Sequence, residues 1–254
     1  RRDVGQLRQK RDEALVLAVQ NFGDADKIVT LLTKEHGKIR AMAYGSRRPR
    51  NPLAAGMQMF RYLDVELLEG RQMATVKQYA LKEAFVFLGE DIQAMAYASF
   101  LAEVALELCP EHLPQPGIFQ CLLQLLPAFA VRNPRLAALI GACQILEHSG
   151  SQLAFSACAV CGRPVEAPAA FSRERGGILC ADCQHGNEEP EDKISASLQQ
   201  MMAAMRSFDW TAAQGMVFKG SDVLQAERLL LGYLEYLFEK PLRSLDFIRQ
   251  LSSG

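Results

Sequence analysis

The chain has 254 residues, of which 49% are hydrophobic and 22% charged, and its formal net charge at pH 7 is −1. This length allows one large domain or two to three small ones, and the composition is that of an ordinary globular protein. No run reaches the roughly 18 apolar residues that a membrane helix needs, and the charged segment Arg1–Glu13 lacks the apolar core of a secretion signal. The sequence therefore predicts a cytoplasmic protein without membrane contact.

The charge is distributed unevenly along the chain. Residues 1–81 contain 15 Lys and Arg against 9 Asp and Glu, whereas residues 82–254 contain 13 against 20. Binding to a polyanion depends on the local field and not on the total charge. The N-terminal region is therefore the candidate for contact with nucleic acid.

Five short strands are predicted in the first third of the chain. Apolar, β-branched or alternating segments mark residues 13–20, 27–33, 38–44, 59–68 and 74–81. Two prolines and two glycines within Gly45–Gly56 predict a loop between the third and fourth strands. Five antiparallel strands without crossover helices favour a small closed barrel, which leaves no strand edge exposed.

A basic stretch lies around this loop, and no acidic residue occurs between Glu35 and Asp64. Its basic residues are Lys38, Arg40, Arg47, Arg48, Arg50 and Arg61. A barrel face edged by a basic loop is suited to binding a phosphate backbone, so we predict that these six residues contact DNA. Tyr44, Phe60 and Tyr62 are either stacking partners for bases or core residues. The loop could also be a solvated surface that binds nothing.

Beyond Ala84 the apolar spacing changes from two to three and four, which predicts helices. They are expected over residues 91–108, 118–131, 135–148, 195–206 and 222–238. Cys109, Cys121 and Cys143 occur singly in apolar helical stretches and are predicted to be buried thiols. The acidic run at residues 188–192 predicts a solvated linker.

The other four cysteines form one pattern, Cys158-x2-Cys161 and Cys180-x2-Cys183, with eighteen residues between the pairs. This spacing fits a four-cysteine zinc site, in which two tight turns each aim two thiolates at one metal. A short β-ribbon is expected between the pairs, and Gly162 permits a positive φ after the first. Four thiolates fill a tetrahedral coordination sphere, so the predicted Zn²⁺ is structural and not catalytic.

Two alternatives to this site remain open. His185 could replace one cysteine ligand, or the four cysteines could bind no metal. Catalytic motifs are absent from the sequence: there is no P-loop, no dinucleotide-binding glycine motif, no nucleophile elbow and no zinc-protease motif. The chain is therefore not expected to be an enzyme.

Several motifs together resemble the RecO family of DNA-repair and recombination mediators. They are Asp24–Thr30, His36–Arg40, Gly45–Pro49, Met95–Phe100, Tyr233–Tyr236 and Lys240–Ser244. The resemblance implies an N-terminal OB-fold, a helical domain and a zinc module. It also implies binding to single- and double-stranded DNA, annealing of complementary strands, and action with RecR. The family helps to load RecA onto DNA coated by single-strand-binding protein (SSB), and some members contact the SSB C-terminal tail.

The expected architecture is thus α+β and multidomain. We predict an OB-fold DNA-binding domain over residues 1–82, a helical domain over 83–154, a zinc module over 155–187 and C-terminal helices over 188–254. The predicted function is that of a non-catalytic, nucleoid-associated recombination mediator. The alternative is a zinc-containing adaptor for protein interactions whose DNA contact is incidental, and a metal-dependent enzyme is a third hypothesis, which the filled thiolate sphere disfavours.

Overall fold

The computed structural model describes residues 8–151, 153–184, 192–211 and 218–252. The predicted alternative ligand His185, residues 188–191 of the acidic run and the first seven residues lie outside that part of the chain. The described chain forms two compact units. One extends to Ile92 and includes Ala105–Gln120, and the other comprises Gln93–Val104 and the chain from Cys121 onward. The four-part division predicted from the sequence stays a prediction.

Five strands form the predicted barrel in the first unit. They are β1 (Gln9–Phe22), β2 (Asp26–Thr33), β3 (Gly37–Ala43), β4 (Tyr62–Leu68) and β5 (Ala74–Glu83). The barrel closes in the order β1-β2-β3-β5-β4, and only the β3–β5 pair is parallel. This OB-like barrel, the helices that follow it and the four-cysteine cluster confirm the α+β fold class.

The barrel closes because β1 is long enough to pair along both of its edges. Its 14 residues pair with β2 over one part and with β4 over another, and the β1–β2 register shifts between Val16 and Ala18. Such an irregularity bends a strand and increases its twist. Alternating side chains then point inward, and residues such as Val29, Leu31 and Val65 are fully buried in the barrel core.

The fourth strand begins later than the predicted residue 59. Phe60 has a φ of +60°, which is incompatible with a strand. Its side chain is only 1% exposed, and its backbone N–H donates a 2.8 Å hydrogen bond to the Val16 carbonyl. The chain therefore turns at Phe60, with that side chain buried, before it pairs as β4.

The helices α1–α4 follow the barrel. They are α1 (Phe87–Glu90), α2 (Ile92–Leu108), α3 (Pro116–Leu125) and α4 (Pro134–Ser149), with a 3₁₀ helix at Leu126–Ala130 between the last two. The predicted single helix over 118–131 changes to 3₁₀ geometry around Pro127, which has no N–H to donate. Asn133 caps α4 as predicted, because its side chain accepts from the N–H of Leu136, and Gly150 ends that helix with a φ of +80°.

A small sheet carries the cysteine segment, and helices follow it. The elements are β6 (Ala169–Ser172), β7 (Gly177–Leu179), α5 (Ala181–Gln184), β8 (Asp192–Ile194), α6 (Ala196–Arg206), α7 (Gly220–Phe238) and α8 (Arg243–Ser252). The antiparallel pair β6–β7 confirms the predicted ribbon. The linker prediction is wrong at Asp192, which pairs with Phe171 and forms a 2.7 Å ion pair with Arg228. Among the helices described, none is both long enough and apolar enough to cross a membrane.

Candidate nucleic-acid interface and metal centre

The basic loop (residues 45–51) is fixed to the turn between β1 and β2. The backbone N–H of Arg47 donates to the Ala25 carbonyl at 2.9 Å, and its Nη1 donates to the Gly23 carbonyl at 2.6 Å. The N–H of Gly45 donates to Asp26 Oδ1 at 2.7 Å. These bonds hold the loop in one shape, so its remaining side chains are presented from a rigid support.

Three arginines of the basic stretch have exposed side chains that are free of partners within the described part of the chain. Arg48 and Arg50 lie on the basic loop, and Arg40 points outward from β3. Tyr44, at the junction of β3 and the loop, is 58% exposed. Exposed guanidinium groups beside an exposed aromatic ring supply the two contacts that a single strand needs, for phosphate and for base.

Like Arg47, the remaining two predicted DNA residues make bonds within the protein. Lys38 Nζ donates a 2.8 Å hydrogen bond to the Leu106 carbonyl in the last turn of α2. Arg61 donates to the Ala84 carbonyl and, through Nη2, to the Gln58 side chain at 3.0 Å. Both cations therefore tie segments of the first unit together, a role that sequence spacing alone does not reveal.

Two of the three candidate aromatic residues are not available to bases. Phe60 is buried, as the core-packing alternative expected. The hydroxyl of Tyr62 donates to Glu13 and accepts a 3.0 Å hydrogen bond from Lys82, while its ring lies edge-on to Phe119 with centroids 6.2 Å apart. Tyr44 is left as the stacking candidate.

The four predicted metal ligands converge on one point. The sulfur atoms of Cys158, Cys161, Cys180 and Cys183 all lie within 4.8 Å of one another. The Cys161 and Cys180 sulfurs are 3.7 Å apart, and a tetrahedron with metal–sulfur bonds of about 2.3 Å has edges of about 3.8 Å. The donor set and its spacing therefore fit a tetrahedral thiophilic cation.

The polypeptide around the cluster shifts the pKa values of its thiols in both directions. Although burial alone would raise the pKa of Cys158, hydrogen bonds from nearby backbone N–H groups lower it to about 6. The hydrogen bond to Cys180 raises the pKa of Cys183 to about 12, so this thiol keeps its proton. A bound cation replaces such a proton, since metal ligation requires thiolate.

Outside the cluster, burial raises the pKa of Cys121 and of Cys143 to about 12, which fits their predicted role as inert core thiols.

Arg163 is a contributor that sequence analysis missed. Its Nε lies 3.4 Å from the Cys161 sulfur, and its Nη2 lies 3.6 Å from the Cys180 sulfur and 2.6 Å from Asp182 Oδ2. The guanidinium lowers the pKa of Cys161. The sequence signal for this role was a basic residue two positions after the predicted ligand Cys161. Its contact with the second cysteine pair could not be predicted, because it forms only when the ribbon is folded.

Two models of known protein families match the chain along nearly its whole length. The family model described as Recombination protein O N terminal matches residues 7–85, and that described as Recombination protein O C terminal matches residues 89–246.

The chain belongs to the RecO family.

Relatives named DNA repair protein RecO cover almost the entire chain. The protein of Symbiobacterium thermophilum is 34% identical over 249 residues, covering 95% of this chain and 97% of its own. That of Pelotomaculum thermopropionicum is 31% identical, covering 93% and 92% respectively. That of Bifidobacterium animalis subsp. lactis is also 31% identical, covering 94% and 98%.

The structure also gives a role to two residues of one motif on which the RecO resemblance rested. Asp26 accepts the Gly45 N–H, and Lys27 Nζ donates a 2.9 Å hydrogen bond to the Met57 carbonyl. Burial, followed by the nearby Arg47, lowers the pKa of Lys27. In this RecO chain the Asp24–Thr30 motif therefore shapes the support of the basic loop, and the exposed arginines lie elsewhere.

Proposed function

We propose that this RecO chain is a non-catalytic, DNA-binding recombination mediator that acts in DNA repair. The observation that carries the proposal is the rigid basic loop, which presents the exposed side chains of Arg48 and Arg50 beside the exposed Tyr44. Arg40 extends the same positive surface along β3. We name this set, Arg40, Tyr44, Arg48 and Arg50, the basic face.

The basic face would bind DNA chiefly through phosphates. Phosphate contacts carry no sequence information, so they serve single- and double-stranded DNA alike. Because the loop is held by Arg47 and Asp26, little conformational entropy is lost when it orders against a backbone. A positive surface that holds two strands at once lowers their repulsion, which is the basis we propose for annealing.

We further propose that the four cysteines hold one Zn²⁺ ion as a structural element. The bound metal would supply a rigid cross-link between the two cysteine turns, and four thiolates leave no open position for a water. The residues that would hold it are Cys158, Cys161, Cys180 and Cys183.

The proposed partners are those that the family resemblance implies. We propose that the chain acts in the cytoplasm at the nucleoid with RecR, contacts the SSB C-terminal tail, and thereby helps RecA to load onto SSB-coated single-stranded DNA. The competing hypothesis is an adaptor that reaches the same partners through protein contacts, with DNA binding incidental.

A loading assay separates the two hypotheses. The full chain, RecR and RecA are mixed with SSB-coated single-stranded DNA, and the start of RecA-dependent ATP hydrolysis is timed. The mediator proposal predicts that Arg48→Glu/Arg50→Glu abolishes the stimulation given by the wild type. Arg47 is left intact in this variant because its side chain holds the loop.

The matched control is Arg175→Glu/Arg243→Glu, which changes the net charge by the same amount at exposed positions outside the barrel. It should stimulate loading like the wild type. Full stimulation by the loop variant would support the adaptor hypothesis and overturn the mediator proposal.

A further inference from the structure

The four clustered cysteines differ in their exposure to solvent. Cys158 is buried and Cys161 is exposed, while the other two are half-buried. Val160, which precedes Cys161, is exposed as well, so this turn of the chain projects into solvent. Oxidation of a cysteine follows its thiolate character and its exposure. A dissolved oxidant therefore meets Cys161 before it meets the other three thiols.

A second sulfur, contributed by the other cysteine turn, lies beside Cys161. The sulfurs of Cys161 and Cys180 are 3.7 Å apart, and the guanidinium of Arg163 contacts them at 3.4 Å and 3.6 Å respectively. A disulfide bond holds its sulfurs about 2.05 Å apart, so these two need to approach by only about 1.7 Å to be joined. Arg163 is itself held by Asp182, and it keeps the two sulfurs side by side.

We propose that Cys161 is a site of reaction with hydroperoxides, and that the reaction ends in a disulfide to Cys180 that takes over the cross-link between the two turns. The two residues are 19 positions apart and belong to different C-x2-C pairs. A disulfide within either pair would instead leave the turns unlinked. The inference goes beyond the proposed function, and it rests on the proposed metal site only for the release of the ion.

The reaction needs a hydroperoxide and no other reagent. The Cys161 thiolate attacks the distal oxygen of the peroxide, the O–O bond breaks, and an alkoxide or hydroxide leaves and takes a proton from water. The product is a sulfenic acid. The Cys180 thiolate then attacks the Cys161 sulfur, so that an S–S bond forms, the S–O bond breaks and hydroxide leaves. The two thiolates lose two electrons to the peroxide, and only two cysteines remain to hold a cation.

The far end of the ribbon β6–β7 has a support that does not involve the cysteines. Gly176, in the turn of the ribbon, has a φ of +62°, and a Cβ there would lie 2.7 Å from the ring of Tyr233 on α7. The Tyr233 hydroxyl donates a 3.1 Å hydrogen bond to the Ser151 carbonyl. Loss of the metal therefore frees only the cysteine end of the ribbon. A disulfide that closes the loop between the two turns constrains that end.

The first experiment maps the product in the wild type. The zinc-loaded full chain is treated with equimolar hydrogen peroxide in the presence of a chromophoric chelator, after which free thiols are alkylated and tryptic peptides are analysed by mass spectrometry. We expect one Zn²⁺ to be released for every two thiols lost. Both members of a C-x2-C pair lie on one tryptic peptide, so only a bond between the turns links two peptides. Fragmentation should assign that bond to Cys161 and Cys180.

Two matched variants test the consequence for the ribbon. Cys183→Ser and Cys161→Ser each leave three thiols in the cluster, but only Cys183→Ser keeps the proposed pair. After peroxide treatment, amide hydrogen exchange at Ile178 and Leu179 should return to the wild-type rate in Cys183→Ser. In Cys161→Ser it should stay as fast as in the chelated wild type. The map of the wild type decides the matter even where a variant fails to fold.

The outcomes also separate this inference from the metal proposal. A disulfide within either C-x2-C pair as the main product, or oxidation of Cys161 to a sulfinic acid without a cross-link, would overturn the inference. If the purified chain retains no Zn²⁺ and the bond between Cys161 and Cys180 still forms, the metal proposal fails and the assignment of the reactive pair stands.

Discussion

Arg163 is the residue whose contacts reach both halves of the cysteine cluster. Its guanidinium contacts the sulfurs of Cys161 and Cys180 and is itself held by Asp182 at 2.6 Å. Four thiolates around one divalent cation carry an excess of negative charge, which a hydrogen-bonded guanidinium offsets. We therefore propose that Arg163 is a positioning residue for the metal that these cysteines would hold.

We predict that Arg163→Ala weakens retention of Zn²⁺ by about 10- to 100-fold, the usual effect of losing a partner that orients metal ligands. The measurement is zinc transfer from the purified chain to a chromophoric chelator. Arg175→Ala, an exposed arginine on the same ribbon, is the matched control. Transfer from the Arg163 variant at the wild-type rate would show that the guanidinium is only a surface group.

Lys38 and Arg40 lie two residues apart on one face of β3 but have different roles. Lys38 donates to the Leu106 carbonyl, whereas Arg40 is exposed and without a described partner. We expect Lys38→Met to lower the free energy of unfolding by about 1.5–3 kcal/mol, because it removes a charged hydrogen-bond donor from a backbone carbonyl.

Arg40→Met is the complementary change. It should leave the unfolding free energy within about 0.5 kcal/mol of the wild type and reduce the salt dependence of DNA binding. Urea unfolding and DNA titration of the two variants measure both effects. The opposite pattern, with stability lost at Arg40 and DNA affinity at Lys38, would contradict these assignments.

The ribbon β6–β7 with its four cysteines is an element that the proposed metal is expected to hold together. Cys158 and Cys161 lie on one turn, closed by the hydrogen bond from the Gly162 N–H to the Cys158 carbonyl, while Cys180 directly follows β7. We predict that chelation, or Cys180→Ser, speeds amide hydrogen exchange at Ile178 and Leu179. Exchange at Val29 in the barrel is the internal control and should not change. Unchanged exchange at both sites after metal removal would show that the sheet needs no metal.

The regular elements could be predicted because their periodicity is local. Strands such as β2 and β3 alternate in period two, and the Asn133-Pro134 start signal with Gly150 at the end marked α4. Phe60 and α8 are among the features that were not predicted. Phe60 takes a positive φ that only its burial explains. The chain also forms a further helix, α8, which begins at Arg243, two residues after the proline that ends the last predicted helix.

The site was less predictable because its details depend on contacts between distant residues. The convergence of the four cysteines could be predicted from spacing alone, since two C-x2-C turns are typical of one shared metal site. Spacing alone did not indicate which of the cationic side chains stay exposed. Lys38 is satisfied by a carbonyl 68 positions away, and Arg61 by one 23 positions away. No local pattern indicates such pairings.

At the scale of the whole molecule, a net charge of −1 conceals a basic barrel followed by an acidic remainder. The arginines of the basic face belong to the first unit and the cysteine cluster to the second. Salt should affect DNA binding strongly, since affinity from phosphate contacts falls as counterions compete.

The most direct test is fluorescence anisotropy of labelled single-stranded DNA across a salt series. It compares the wild type, Arg48→Glu/Arg50→Glu and the control Arg175→Glu/Arg243→Glu, with folding checked by circular dichroism. We predict that the affinity of the wild type and of the control falls steeply when log affinity is plotted against log salt concentration. The loop variant should bind far more weakly, with a slope smaller by about 1.4, because two phosphate contacts are lost. Equal affinity and slope in all three proteins would contradict the account.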